Sequence, residues 1–272
     1  MRGKKVMVIT LCALLLFGAL AFASVSLGQQ KALADDATFY STASDGILSG
    51  YNSTYNVVHD AGTGLVYDDF DNLSIGQYLW PIQPTPLQVI DRGALFFDTS
   101  SLPDTAVITA ATLSLYGDDD MSDTNFDIVV MDGFLLNDPL VAGDYGDLLN
   151  QTTSGGVFNT SGFALDYNDI PLNSAGMGWI SKTGMTKFGL RSSRDITPTV
   201  STGLEYVAVY ANEEAEEGER RPKLVVSYEY VQPPPSAVPT ISQWGMIGMG
   251  IVLAAFLVWS VRKRWVVSAG KS

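Results

Sequence analysis

The stretch Asp118-Asp119-Asp120-Met121-Ser122-Asp123 sets four carboxylates and a hydroxyl side by side. Asp is a compact oxygen donor, and Ca2+ takes roughly six to eight oxygen ligands. Asp118, Asp120 and Asp123 are therefore candidate calcium ligands. Asp118, Asp120 and Ser122 begin the spacing of an EF-hand, but the Gly at its sixth position and the closing Glu are missing. The competing reading is a solvated loop whose mutual repulsion keeps a surface domain soluble. Asp68-Asp69-Phe70-Asp71-Asn72 is a second acidic run open to the same two readings.

Tyr78 and Trp80, in Gln77-Tyr78-Leu79-Trp80-Pro81, and Trp179, in Gly178-Trp179-Ile180, are large rings outside any obvious apolar stripe. Flat rings of this kind stack against the apolar face of a pyranose, so the three are candidate sugar contacts; the alternative is that they fill a core or an edge. Machinery for covalent catalysis is sparse. His59 is the only histidine and Cys12 the only cysteine, and neither a Gly-x-Ser-x-Gly elbow nor a Gly-rich phosphate loop occurs. His59, beside Asp60, reads as a loop or strand-edge histidine. Zinc, which draws on His and Cys, is disfavoured. Glycoside hydrolysis needs only two carboxylates, and 29 acids cannot be sorted by spacing alone. The expectation is a protein that is not an enzyme.

The elements that must position these residues alternate with period two. Val107, Ala111, Leu113 and Leu115 line one face of a strand, and Phe126, Ile128 and Val130 one face of the next. Tyr206, Ala208 and Tyr210 alternate late in the chain, as do Leu224, Val226, Tyr228 and Tyr230. Short strands between Gly, Asp, Asn and Ser turns indicate an all-β antiparallel sandwich or jelly roll over residues 35–230. Helical periodicity is confined to Asp144–Leu149 and Asn173–Ser181, each a turn or two. The acidic run Glu213–Arg221 reads as an exposed loop before the last strand.

Charge excludes one class of partner. Residues 35–230 hold all 29 Asp and Glu, 22 of them Asp, against eight Lys and Arg, a net charge of about −21. No nucleic-acid footprint and no affinity for anionic lipid fit that balance.

The two ends carry targeting chemistry. Arg2, Lys4 and Lys5 precede an apolar run to about Leu20, with small-x-small cleavage sites ending near residues 23 and 34, so residues 1–34 read as a secretory signal peptide. Cys12 falls inside it, which leaves the mature chain without cysteine. At the other end a Pro-rich linker, 231–243, leads to an uncharged apolar run, 244–261. That run spans about 27 Å as a helix, enough for one transmembrane crossing. Arg262, Lys263 and Arg264 follow as a membrane stop in a basic cytoplasmic tail, 262–272.

Two resemblances sharpen this reading. Val238-Pro239-Thr240-Ile241-Ser242-Gln243-Trp244-Gly245, followed by an apolar helix and Arg262-Lys263-Arg264, resembles the IPTL-CTERM class of bacterial sorting signals. Val238 stands for that pattern's first Ile and Ile241 for its Leu. The resemblance implies a membrane-embedded sorting enzyme that severs the tail; a permanent anchor is the other outcome. Arg92-Gly93-Ala94-Leu95-Phe96-Phe97-Asp98-Thr99-Ser100-Ser101-Leu102-Pro103, then Ala110-Ala111-Thr112-Leu113-Ser114-Leu115-Tyr116, and finally Pro222-Lys223-Leu224-Val225-Val226-Ser227-Tyr228 are similar to DNRLRE-type modules, relatives of carbohydrate-binding modules. That implies a jelly-roll sandwich, exported to the cell envelope, which binds extracellular polysaccharide or matrix, with Ca2+ as the one candidate cofactor. The alternatives are a self-associating structural component of the envelope and a carbohydrate-active enzyme. A sorted chain recovered from its own cells is expected to lack, by intact mass, everything beyond the Val238 region. A mass that retains Trp244–Ser272 would establish the anchor instead.

Overall fold

The computed structural model describes residues 32–212, 220–231 and 241–269, with side chains of 245–260 in the last segment. Residues 1–31 of the expected signal segment, the acidic run 213–219 and residues 232–240 of the linker, which include the sorting residues Val238, Pro239 and Thr240, lie outside the described residues, whereas residues 32–34, expected in the signal segment, begin the first strand. Residues 31–231 form one unit, and the C-terminal helix belongs to another.

Twelve strands make up the first unit among the described residues: β1 (Ala32–Tyr40), β2 (Gly46–Asn52), β3 (Leu65–Tyr67), β4 (Asn72–Trp80), β5 (Leu87–Asp98), β6 (Val107–Asp120), β7 (Asp127–Asp132), β8 (Gly156–Asn159), β9 (Tyr167–Pro171), β10 (Met185–Ser192), β11 (Leu204–Tyr210) and β12 (Lys223–Val231). Short helices α1 (Tyr55–His59), α2 (Asp144–Leu149), α3 (Ser174–Gly178) and α4 (Ser193–Ile196) interrupt them. The strands pair antiparallel in the order β1-β12-β6-β11-β4-β5-β10-β7-β8, with β2 and β3 beside β5 and β9 beside β6. This is a mostly β domain, a curled sheet consistent with a sandwich or jelly roll. One core holds Leu113, Leu224 and Val207 from one end of the order together with Phe97, Phe188 and Val130 from the other, so the sheet is folded onto itself.

The strand β5 is where the sheet divides. Its first half, Leu87–Asp91, pairs with Trp80–Gly76 of β4. Its second half, from Gly93 to Asp98, pairs with β10 instead. The opposite edge pairs with β2 across the division, from Gln88 to Ala94. The alternation of Phe126, Ile128 and Val130 is realised, as is that of Leu224, Val226 and Tyr228. Val107 departs from its expected face and is 64% exposed. The register with β12 skips Thr109, and the bulge turns the start of β6 over, so that Ile108 packs on the core in its place. In β11 the core face is Val207 and Val209, while Tyr206 and Tyr210 lie half-buried on the other face.

The helices are fastened by one buried ion cluster. Arg92 on β5 donates to both oxygens of Asp195, from Nε at 2.9 Å and Nη2 at 2.8 Å. Arg191, four residues before Asp195, adds a third bond from Nε at 2.6 Å. Both guanidiniums also reach backbone: Arg92 the carbonyls of Tyr145 and His59, Arg191 those of Leu148, Leu149 and Gln151 at the end of α2. His59 is not the loop or strand-edge residue expected. It ends α1, is buried, and bonds the Asp195 carbonyl through Nε2 at 2.8 Å and Asp60 through Nδ1 at 2.5 Å.

The second unit contributes one helix, α5 (Ile241–Ala269), whose described side chains from Gly245 to Trp259 are exposed and apolar all round. Among the described residues no helix is long and apolar enough to cross a membrane. The expected span, 244–261, overruns the described side chains at both ends.

Burial by itself would push the Asp195 carboxyl up, but hydrogen bonds and charge from Arg92 and Arg191 bring it down to about 2. A depressed folded-state pKa stabilises the protein above the unfolded value of about 4, and that stability is lost as pH falls toward about 2. Asp195→Asn is expected to cost about 3–5 kcal/mol at neutral pH, since it leaves two buried guanidiniums without a counter-charge. Chemical denaturation at pH 7 and along an acid series checks both points: the variant loses the acid-dependent step, and a cost below about 1 kcal/mol would overturn the assignment.

Candidate functional site

In the angle between the β2–β3 pair and β4, with β5 as its floor, lies a groove of about 590 Å³. That volume lies within the range of small-molecule sites. Strand alternation aims the lining. Ile47, Ser49 and Tyr51 come from β2, and Leu87, Val89 and Asp91 from β5. Asn72, Ser74, Tyr78 and Trp80 come from β4. The mouth is aromatic: Tyr51 is 55% exposed, Trp80 52% and Phe70 49%. Tyr67 and Phe70 meet at 5.4 Å between ring centroids, tilted by 55°. Tyr206 of β11 supports the Tyr78 ring at 4.9 Å.

Gly76 sets the course of β4 where it meets Asp91. Its φ is 141°, and a Cβ there would run into the Glu205 carbonyl of β11. Only Gly takes that conformation without strain.

Asp91 sits on the groove floor and is 4% exposed. Its Oδ2 accepts from Ser74 Oγ at 2.5 Å, and Ser49 stands opposite it on β2. Its Oδ1 is buried without a hydrogen-bond partner among the described residues. Burial pushes the carboxyl up from its ordinary range, and the Ser49 and Ser74 hydroxyls only partly offset this. The neighbouring Tyr78 hydroxyl is pushed up as well, first by burial and then by the Asp91 charge. Among the described residues no Lys, Arg or His lines the groove. Arg92, next in the chain, is committed to Asp195 on the other face of β5.

Two of the three rings expected from the sequence, Tyr78 and Trp80, are brought together here. Trp179 is not. It closes α3, lies half-buried against Gly155 and packs on the main core. The acidic run at Asp118 does not gather into a site. Among the described residues no group of three or more His, Cys, Asp or Glu is placed to hold a metal. Asp118 accepts from Asn72 Nδ2 at 3.2 Å, Asp120 from the Ser122 amide at 3.0 Å, and Asp123 from the Leu204 amide at 2.9 Å. Asp118 and Asp120 are still part of β6, whose register with β11 skips Asp118, and the two carboxylates are held by separate partners rather than gathered on one point. The turn expected there begins only after Asp120. The second run places Phe70 and Asn72 in the groove wall.

Asp91 and Ser49 went unremarked in the sequence. A signal was present: Asp91-Arg92 interrupts a run, Leu87 to Phe97, that otherwise reads as a strand buried on both faces.

No family model matches the chain, and no curated protein matches it either. Among solved structures, the chain is similar to one described as "Cryo-EM structure of Mud crab tombus-like virus at 3.3 Angstroms resolution". The two are 13% identical, and the match covers 81% of this chain and 90% of that one at a TM-score of 0.29.

A carboxyl whose folded-state pKa is raised destabilises the protein as pH rises through the interval between its unfolded and folded values, because there the folded state binds more protons. Asp91→Asn is therefore expected to raise the melting temperature at pH 7 and to leave it nearly unchanged at pH 3. A lower melting temperature at pH 7 would show that the carboxylate holds the fold together rather than burdening it.

Proposed function

We propose that this domain is a binding module, exported and displayed at the cell envelope, which holds extracellular polysaccharide in the groove between β2–β3 and β4. The observation that carries the reading is the lining itself. Five aromatic residues, Tyr51, Tyr67, Phe70, Tyr78 and Trp80, share one concave surface with Ser49, Asn72, Ser74 and Asp91. Rings that bury a broad, low-entropy apolar area suit sugar faces, and a few fixed polar groups orient the hydroxyls. Among the described residues Asp91 is the carboxylate that the lining presents to a ligand.

Placement at the envelope is supported by the two ends of the sequence. The export signal of residues 1–34 would deliver the acidic domain outward. The apolar run Trp244–Val261, lying within one helix and followed by Arg262, Lys263 and Arg264, would hold it until a sorting enzyme acts at the Val238-Pro239-Thr240 motif. A helix that is apolar on every side needs lipid or protein around it.

Trp80→Ala and Tyr78→Ala are each expected to weaken polysaccharide binding about tenfold, the equivalent of ~1.4 kcal/mol of lost stacking. Trp179→Ala is expected to leave affinity unchanged. Affinity electrophoresis through gels holding a panel of polysaccharides reads the difference. Retardation that persists in the Trp80 and Tyr78 variants would remove the groove from consideration.

A further inference from the structure

The floor of the groove constrains the ligand more tightly than its walls do. Among the described residues the lining brings no Lys, Arg or His to Asp91, and Arg92 is turned to the opposite face and held by Asp195 and two carbonyls. Ser74 and Ser49 steady the carboxylate from two strands, yet Oδ1 remains buried with no donor. A buried acceptor left in that state is costly, and a buried carboxylate without a counter-charge costs more. The missing partner must therefore bring at least a hydrogen-bond donor, and a positive charge answers both deficits.

The walls favour the same answer. Tyr51, Phe70, Tyr78 and Trp80 present ring faces, whose quadrupoles attract a cation. At longer range the domain, with 29 acids against eight bases between residues 35 and 230, draws cations toward its clefts and repels anions. Uronate or sulfated chains would approach against that field and find no base in the groove. A neutral sugar could supply a hydroxyl to Oδ1 but would leave the charge uncompensated.

We propose that the group seated over Asp91 is an ammonium, and hence that the polysaccharide is an amine-bearing one, built of amino sugars that are not acetylated. This rests on reading the groove as a saccharide site. Asp91 is the specificity-determining residue: Oδ1 receives the ammonium, Ser49 and Ser74 hold the carboxylate in place, and Trp80 and Tyr51 at the mouth stack on the sugar ring. N-acetylation would remove the charge and add bulk at the buried floor, so the same oligomer in acetylated form is discriminated against.

The test uses the full chain in detergent, titrated by calorimetry with a glucosamine disaccharide, its N-acetylated counterpart, a uronate disaccharide and methylammonium. The expected result is glucosamine binding at least tenfold tighter than the acetylated form, with no uronate binding. Asp91→Asn should abolish that preference, while Asp119→Asn, which removes the same charge from an exposed position, should leave it intact. If both sugars bind equally and Asp91→Asn changes neither, the ammonium inference fails and the saccharide reading stands. If methylammonium binds in a way that depends on Asp91 and Trp80 but no sugar does, the cation site stands and the saccharide reading fails. Absence of binding by every probe overturns both.

Discussion

Everything in the first unit depends on the clamp that Arg92 and Arg191 close on Asp195. The loops that carry α1, α2 and α4 leave different strands, and short helices of this kind have little stability of their own. The clamp ends each of them on the same few atoms. Arg92 takes the carbonyls of His59 and Tyr145 from α1 and α2, Arg191 takes the carbonyls that finish α2, and the carboxylate itself belongs to α4. Stacking of the Arg92 guanidinium over the Tyr145 ring, 3.9 Å from its centroid, fills the remaining side. Two buried cations on one anion is an unbalanced charge set. It holds because the excess positive charge is spread over backbone carbonyls, those of His59, Leu148 and Leu149 at helix C-terminal ends among them, which carry partial negative charge.

The pleat of β5 turns that clamp into a determinant of the groove. Side chains alternate along a strand, so adjacent residues cannot serve the same face. With Arg92 drawn into the clamp, Asp91 is forced to the groove side, at the place where β4 gives way to β10 as the partner of β5. The nearest guanidinium in sequence is thus unable to neutralise it. The protein keeps Asp195 well paired and leaves Asp91, a single Cα step from the same arginine, poorly paired. The first arrangement stabilises the fold and the second works against it. A group that works against folding and lines a cleft is a candidate for a role in binding.

How far the sequence could be read follows from which signals are local. Alternation located the strands around Leu113, Ile128 and Val226, and the small helical segments at Asp144 and Ser174 stand where the pattern placed them. The face of Val107 was misassigned because a bulge depends on the register of the partner strand, and register is a property of two segments. Tyr78 and Trp80 could be singled out as rings with no core to join, but nothing local separates them from Trp179. That difference arises from Gly155 and the core beneath it, which are far from the groove. The acidic loop misled in the opposite way. Neighbouring carboxylates converge on a metal only if the backbone curls, and β6 stays extended through Asp120. Asp91 was legible as an anomaly, a charged pair within an apolar strand, though its isolation from Arg92 requires knowing where Asp195 sits.

The acidic balance and the groove bear on each other through distance. A charge of about −21 spread over a domain this size acts over a Debye length of about 8 Å at physiological salt, so it biases the approach of a chain without fixing its register. The groove acts only at contact and contributes the fixed geometry: rings at the mouth, one carboxylate at the floor. On the proposed reading, a single groove of this size would hold a sugar segment weakly, since a small ligand recovers only a modest free energy per atom. Display on a surface would change that arithmetic. Copies held near a common membrane meet successive segments of one polymer at high effective concentration, and avidity rises without any new contact. Weak, selective grooves on a tethered acidic domain are then sufficient for retention of a polymer, and tight binding by each copy is unnecessary.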